Sequence, residues 1–201
     1  MKPETEKRAS GIALIGELPW GSHFCQFYRT KKDLLDILIP YFRAGLENNE
    51  LCIWVTSDFL GREAALKALR KGVPGFSEYL ATGQIEVFPY TDWYLIGGSF
   101  DLKRTLAMWM DKHDEALARG FAGMRVSGNP YWIDNKKDWD DFACYEAEIN
   151  NVIGGTKLLV LCTYSLKKCG VVEIMDVVKN HKFALAMNHG DWQMVNMSAF
   201  S

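Results

Sequence analysis

Apolar positions follow two rhythms that take turns along the chain. Short runs of strand length, such as Leu51-Cys52-Ile53-Trp54-Val55, are followed by longer segments whose apolar residues recur at helical spacing. The pattern predicts strands over 23–28, 51–55, 84–88, 123–127 and 157–162, and helices over about 33–46, 61–71, 101–119, 140–152 and 171–180. Thr30 or Asp33 can cap the first helix and Asp101 the third, while Pro40 predicts a bend. A short extra turn is expected at 76–80, and a long loop at 89–100 carries Tyr90, Trp93, Tyr94 and Gly97-Gly98. The end of the chain reads as a hairpin, 181–186 against 192–195, around Asn188-His189-Gly190-Asp191.

Runs apolar on both faces suit central parallel strands covered from both sides. The fold expected is therefore α/β, a three-layer, mainly parallel sheet with helices on both faces and an antiparallel edge at the C-terminus. Residues 1–19 read as a mobile lead-in and 20–197 as one domain. In such a sheet the ligand crevice lies beyond the carboxyl ends of the strands. Tyr28, Thr56, Asp58, Pro89, Tyr90, Ser127, Gly128, Thr163 and Tyr164 stand at those ends, with Trp93, Tyr131 and Trp132 in the loops that follow.

The chemistry is densest in the first strand, His23-Phe24-Cys25-Gln26-Phe27-Tyr28. Residues two apart on a strand share a face, so His23 and Cys25 point the same way, about 7 Å apart. An imidazole and a thiol suit zinc, iron or copper, with further ligands to come from Cys144, Cys162, Cys169, His181 or His189. A redox thiol at Cys25 is the alternative, if His23 lowers its pKa. Covalent Cys–His catalysis fits less well, because neighbours on one strand lie parallel rather than facing. His113 falls on the polar side of a charged helix and is expected in solvent. On the 140–152 helix, Glu146 and Asn150 share a face. Arg125 on the preceding strand is a candidate partner for Glu146, as a ligand clamp or as a structural ion pair.

Composition narrows the classes. The chain has 201 residues, 48% hydrophobic, with formal net charge −2. That suits a single cytoplasmic domain and argues against a nucleic-acid surface. No apolar run is long enough to span a bilayer, and the charged first residues lead into no signal-peptide core. Five cysteines form no regular framework, and Cys52 and Cys162 sit in apolar runs as reduced core thiols. Seven Trp, eight Tyr and eleven Phe suit an aromatic-lined pocket.

A sheet of this order invites a nucleotide reading, which the residues oppose. A phosphate loop needs glycines that free backbone N–H groups, then Lys and a hydroxyl. After the first strand the chain instead has Tyr28-Arg29-Thr30-Lys31-Lys32-Asp33, and Gly97-Gly98-Ser99 is too short to serve. No acidic residue ends the 157–162 strand to hold magnesium, so no nucleotide is expected.

An ordered set of segments then adds a resemblance. They are Gly21-Ser22-His23-Phe24-Cys25-Gln26-Phe27-Tyr28, Phe42-Arg43-Ala44-Gly45-Leu46-Glu47 with Glu50-Leu51-Cys52-Ile53-Trp54-Val55, and Met124-Arg125-Val126-Ser127-Gly128-Asn129 with Trp132. Tyr145-Glu146-Ala147-Glu148-Ile149-Asn150, Leu161-Cys162-Thr163-Tyr164 and His181-Lys182-Phe183-Ala184-Leu185 complete it. Over about residues 15–195 the chain resembles a MEDS domain, the methanogen/methylotroph DcmR-type sensory domain of prokaryotes. The resemblance implies a RecA/KaiC-like fold that has lost its phosphate loop. It also implies a role in sensing simple hydrocarbon derivatives such as one-carbon compounds. Such domains are often fused to kinase or DNA-binding modules. This chain carries neither, so its output is expected to pass to a kinase or transcription regulator in trans.

The function expected is a non-enzymatic sensory domain, without direct nucleic-acid or membrane binding and compatible with a homodimer. Its proposed pocket at the strand carboxyl ends draws on His23, Cys25, Tyr28, Trp54, Trp93, Arg125, Trp132, Glu146, Asn150 and Tyr164, with His23 and Cys25 as candidate metal ligands. The alternatives are a metal- or redox-sensing domain acting through that pair, or a degenerate ATPase-fold scaffold for another protein.

Overall fold

A computed structural model describes residues 6–196. Among the described residues, nine strands and six α-helices follow one another in nearly the predicted order. They are β1 Lys7–Ala9, β2 Glu17–Pro19, β3 Ser22–Tyr28, α1 Lys31–Glu47, β4 Leu51–Thr56, α2 Arg62–Gly72, α3 Phe76–Ala81 and β5 Ile85–Pro89. Then come α4 Leu102–Ala118, β6 Met124–Gly128, α5 Lys136–Ile153, β7 Leu158–Ser165, α6 Val171–Asn180, β8 Phe183–Asn188 and β9 Asp191–Asn196. Seven strands form one sheet in the order β5-β4-β6-β7-β3-β8-β9. Every pairing in it is parallel except β8 with β9, the antiparallel edge the sequence predicts. His189 and Gly190, both at positive φ, make the tight turn between those two strands.

Burial on both faces explains the apolar runs. All eight positions of β7 are buried, as are all seven of β3. Alternate residues feed two cores. On one side Phe24, Tyr28, Trp54, Leu159 and Leu161 pack with α1, α2 and α3. On the other, Cys25, Ile53, Val126, Val160, Cys162 and Tyr164 pack with α4, α5 and α6. A slip of one residue in register would exchange the two sets, so the pattern specifies the pairing.

The caps follow their residues. Thr30 and Asp33 close a capping box at the start of α1, Asp101 caps α4, and α1 continues through Pro40. The Asp33 carboxylate accepts from the backbone N–H of Arg29 and of Thr30, both at 3.0 Å.

Two expectations change. Residues 1–5 of the expected mobile lead-in lie outside the described residues, and the rest of it holds a two-stranded hairpin, Lys7–Ala9 against Glu17–Pro19. It is tied down by charge: Arg8 Nε donates to Glu50 at 3.0 Å, and Arg125 Nη2 donates to the Ala9 carbonyl at 3.0 Å. His113 is buried rather than solvated, with Nδ1 at 3.1 Å from Asp114. It sits at helical spacing from buried Trp109 and Ala116, on the inward stripe of α4.

Candidate functional site

The sheet itself divides the expected pocket. Tyr28, Trp54 and Arg125 face α1 and α2, whereas His23, Cys25, Trp93, Glu146 and Tyr164 face α4, α5 and α6, with Trp132 packed against the latter core. These residues cannot line one pocket, because a closed layer of strands lies between them. The rim over β3 and β6 is also filled. Asn129 Nδ2 donates to the Tyr28 hydroxyl at 2.8 Å and to Thr163 at 3.0 Å. Above it the Tyr28 and Phe59 rings lie 5.1 Å apart, and Phe59 and Tyr131 5.4 Å apart. Trp54 stacks on Phe42, and Trp93 lies 4.2 Å from Trp109 in the opposite core.

Arg125 does not meet Glu146, which lies across the sheet. Its Nε donates to Glu50, Nη1 to the Tyr41 carbonyl at 2.6 Å, and the guanidinium lies 4.9 Å from the Tyr41 ring. This is the structural reading of Arg125, with a different partner.

On the α5 side, four chemistry-bearing side chains converge. They are His23 from β3, Glu146 from α5, Cys162 from β7 and His181 immediately after α6, all buried, with one candidate ligand atom of each within 4.8 Å of the others. The Oε2 atom of Glu146 is 3.1 Å from His23 Nε2 and 3.3 Å from His181 Nε2. His23 Nε2 is 3.3 Å from Cys162 Sγ. Strand register explains that contact: Cys25 pairs with Cys162, and His23 with Val160, so His23 and Cys162 are diagonal neighbours on one face.

The outer nitrogens of both rings are committed. Asn150 Nδ2 donates to the Asn180 carbonyl at 2.7 Å, which leaves its Oδ1 facing His23 Nδ1 at 3.2 Å. His23 Nδ1–H must then be the donor, and Nε2 carries the lone pair. His181 Nδ1 lies 2.7 Å from the Val177 carbonyl, which can only accept, so His181 Nε2 is also free of hydrogen in the neutral ring. Glu146, whose two oxygens are buried without a well-formed hydrogen bond, faces both lone pairs. The buried Tyr164 hydroxyl stands beside Glu146 and Cys162, without a well-formed hydrogen bond to either.

The electrostatics pull against each other. Burial lowers the pKa of His23 from its ordinary value, and His181 pushes it the same way. Burial opposes ionisation of Glu146, but hydrogen bonds and positive charge from His181 and His23 bring its carboxyl well below the usual range. A carboxylate held low needs positive charge beside it, and a desolvated His23 does not supply one. His23 is held neutral, because full burial is the largest influence on it.

The thiol beside His23 is Cys162, not Cys25. Cys25 shares the expected face, yet its Sγ turns to the Phe183 carbonyl at 3.9 Å. Burial and the Glu146 charge push the Cys25 thiol up, the opposite of what a redox thiol needs. Of the predicted residues, the structure thus gathers His23, Glu146, Asn150 and Tyr164. It adds Cys162 and His181, which the sequence offered only as ligands without close spacing. His23 and Cys162 are 139 positions apart, so only strand register joins them.

A small cavity adjoins this cluster. It offers about 20 Å³, close to one water, between the sheet face and α4 and α5. Tyr94, Leu106, Trp109, Tyr145 and Val160 line it, and Cys162 belongs to both its wall and the cluster. Gly128 lets Tyr94 close in: a Cβ there would stand 1.9 Å from the Tyr94 hydroxyl.

The fold is an α/β scaffold of the RecA/KaiC-like kind. The chain belongs to the MEDS family (MEthanogen/methylotroph, DcmR Sensory domain), whose profile matches residues 22–182. Among solved structures it is similar to the KaiC-like protein PH0186 from the hyperthermophilic archaeon Pyrococcus horikoshii OT3, at 13% identity, TM-score 0.63, and coverage of 95% of this chain and 86% of that one. It is also similar to the flagellar accessory protein FlaH from Methanocaldococcus jannaschii, at 13% identity, TM-score 0.55, and coverage of 92% and 84%. At that identity the likeness concerns the fold. No curated protein matches the chain. Among the described residues, no helix is long and apolar enough to cross a membrane.

Proposed function

We propose that the chain is a non-enzymatic domain that senses small hydrocarbon derivatives of the one-carbon class for a prokaryotic signalling system. One observation carries the reading: an apolar, aromatic-walled cavity shares Cys162 with an unsatisfied polar cluster. A ligand there would bury its carbon against Leu106, Trp109 and Val160 and lie beside the Tyr94 and Tyr145 rings. Room for about one water favours the smallest organic molecules, admitted by a shift of Tyr94.

Output would pass in trans to a kinase or transcription regulator. The cluster supports such a route, since His181 is held by the carbonyl of Val177 in α6, whose outer side exposes Val171, Val172 and Met175. A homodimer built on that helix is compatible with the same surface.

Thermal-shift titration with methanol, methylamine and dichloromethane tests the reading. At least one should raise the melting temperature in a saturable way, and Leu106→Phe, which fills the cavity, should abolish the response. Silence from all three compounds, or an unchanged response in Leu106→Phe, counts against it.

A further inference from the structure

We infer that His23, Glu146, Cys162 and His181 form a buried four-ligand site for a borderline divalent transition ion of the zinc class. The inference stands on geometry and charge, independently of any organic ligand.

Four Lewis-basic atoms point at one volume: two imidazole Nε2 atoms, a carboxylate oxygen and a sulfur. Both histidines are oriented from behind, His23 by Asn150 and His181 by the Val177 carbonyl. That is how metal-bound imidazoles are held, with the outer N–H fixed and the inner lone pair presented. The spacing agrees. Zinc bonds of about 2.0–2.3 Å place tetrahedral ligand atoms roughly 3.3–3.8 Å apart. Three of the separations are 3.1, 3.3 and 3.3 Å, and the rest fall within 4.8 Å. Small rotations of the Glu146 and Cys162 side chains would even them out.

Charge agrees with the geometry. A divalent ion with one carboxylate and one thiolate sums to zero, and it uses every lone pair the site turns inward. Sulfur with two imidazoles selects zinc, cobalt or ferrous iron over magnesium or calcium. Four protein ligands leave no open position, as in structural zinc sites. The ion would therefore act as a clamp joining β3, α5, β7 and the end of α6. It would fix the helix that carries the exposed Val171 and Val172.

Cobalt is the probe. Full-length protein stripped with chelator and titrated with Co²⁺ should take up one ion per chain. It should show the strong visible bands of four-coordinate cobalt and a near-ultraviolet thiolate-to-cobalt band. Cys162→Ser should lose the thiolate band, whereas Cys25→Ser should keep it. Asn150→Ala, which touches no ion, should keep the spectrum but weaken affinity by about 10–100-fold. Circular dichroism reports whether each variant is folded. If Cys162→Ser does not fold, the wild-type thiolate band and the Asn150→Ala affinity carry the test. Folded wild-type protein that takes up no Co²⁺, or a thiolate band that follows Cys25, would overturn the assignment. The Leu106→Phe titration leaves all four ligands intact, so the sensing proposal and this one can fail separately.

Discussion

Two buried charged centres sit back to back on opposite faces of the same sheet, and they differ in how completely their polar atoms are matched. On the α1 side, Glu50 receives Arg125 and Arg8, while the remaining Arg125 nitrogens reach the carbonyls of Tyr41, Ala9 and Ser10. On the α5 side, Glu146 faces two imidazoles whose protons point away from it, and neither of its oxygens finds a well-formed hydrogen bond. A matched centre is finished by the chain itself. An unmatched one, equally buried, costs free energy unless something else completes it. Burial alone does not separate structural from functional polar groups; the balance of donors and acceptors does.

The largest effect should come from the matched centre. Arg125 cannot shed its charge, and Glu50 is fully buried. Arg125→Met keeps the length of the side chain but leaves Glu50 with Arg8 alone and takes the guanidinium donors from the carbonyls of Tyr41 and Ala9. The loss should be about 3–5 kcal/mol by urea denaturation. The β1–β2 hairpin should also become the first segment cut in limited proteolysis, since two of its carbonyls are held by Arg125. A loss below about 1 kcal/mol would remove the contrast between the two centres.

How far the sequence foretold these centres follows from the range of the interactions involved. The layers were legible because β4 and β7 are apolar at both parities and the helices repeat at their own period, which are local properties. The caps at Thr30 and Asp101 were legible for the same reason. Arg125 and Glu146 were both recognised as polar residues in need of partners, yet they were paired with each other. Strand parity settles the matter: Arg125 alternates with Met124 and Val126, which face α5, so it must face α1. Cys25 was preferred to Cys162 because its distance from His23 could be counted along one strand. His181 was offered only as one of five possible further ligands, because it lies 158 positions from His23 in the chain. The β1–β2 hairpin was missed because its strands are three residues each, and its anchor is a charge pair to Glu50 rather than an apolar stripe.

Gly45 sharpens the comparison with a smaller change. On an exposed helix, Gly→Ala gains about 1 kcal/mol. In α1, a Cβ at this position would lie 2.5 Å from Arg125 Cδ and Nε and 2.8 Å from Cys52 Sγ. Overpacking costs about 1–3 kcal/mol, and here it displaces a guanidinium whose partners are fixed backbone carbonyls. Gly45→Ala should therefore destabilise by up to about 2 kcal/mol net, measured by the same urea midpoint. The reverse sign would mean that the Arg125 centre yields more readily than its hydrogen bonds suggest.

The smallest effect should come from Glu146→Gln in chelator-treated protein. Removing one partner from a buried ion pair is severe when the other must keep its charge. The partners of Glu146 are imidazoles, and burial already favours the neutral form of His23. The Gln amide can donate to an Nε2 lone pair that the carboxylate could only oppose. The change should stay below about 1 kcal/mol and could be stabilising, although Glu146 is buried as deeply as Arg125. A loss approaching that of Arg125→Met would mean that Glu146 is matched by charged imidazoles after all. The two faces of the sheet would then carry the same kind of centre, complete without an ion.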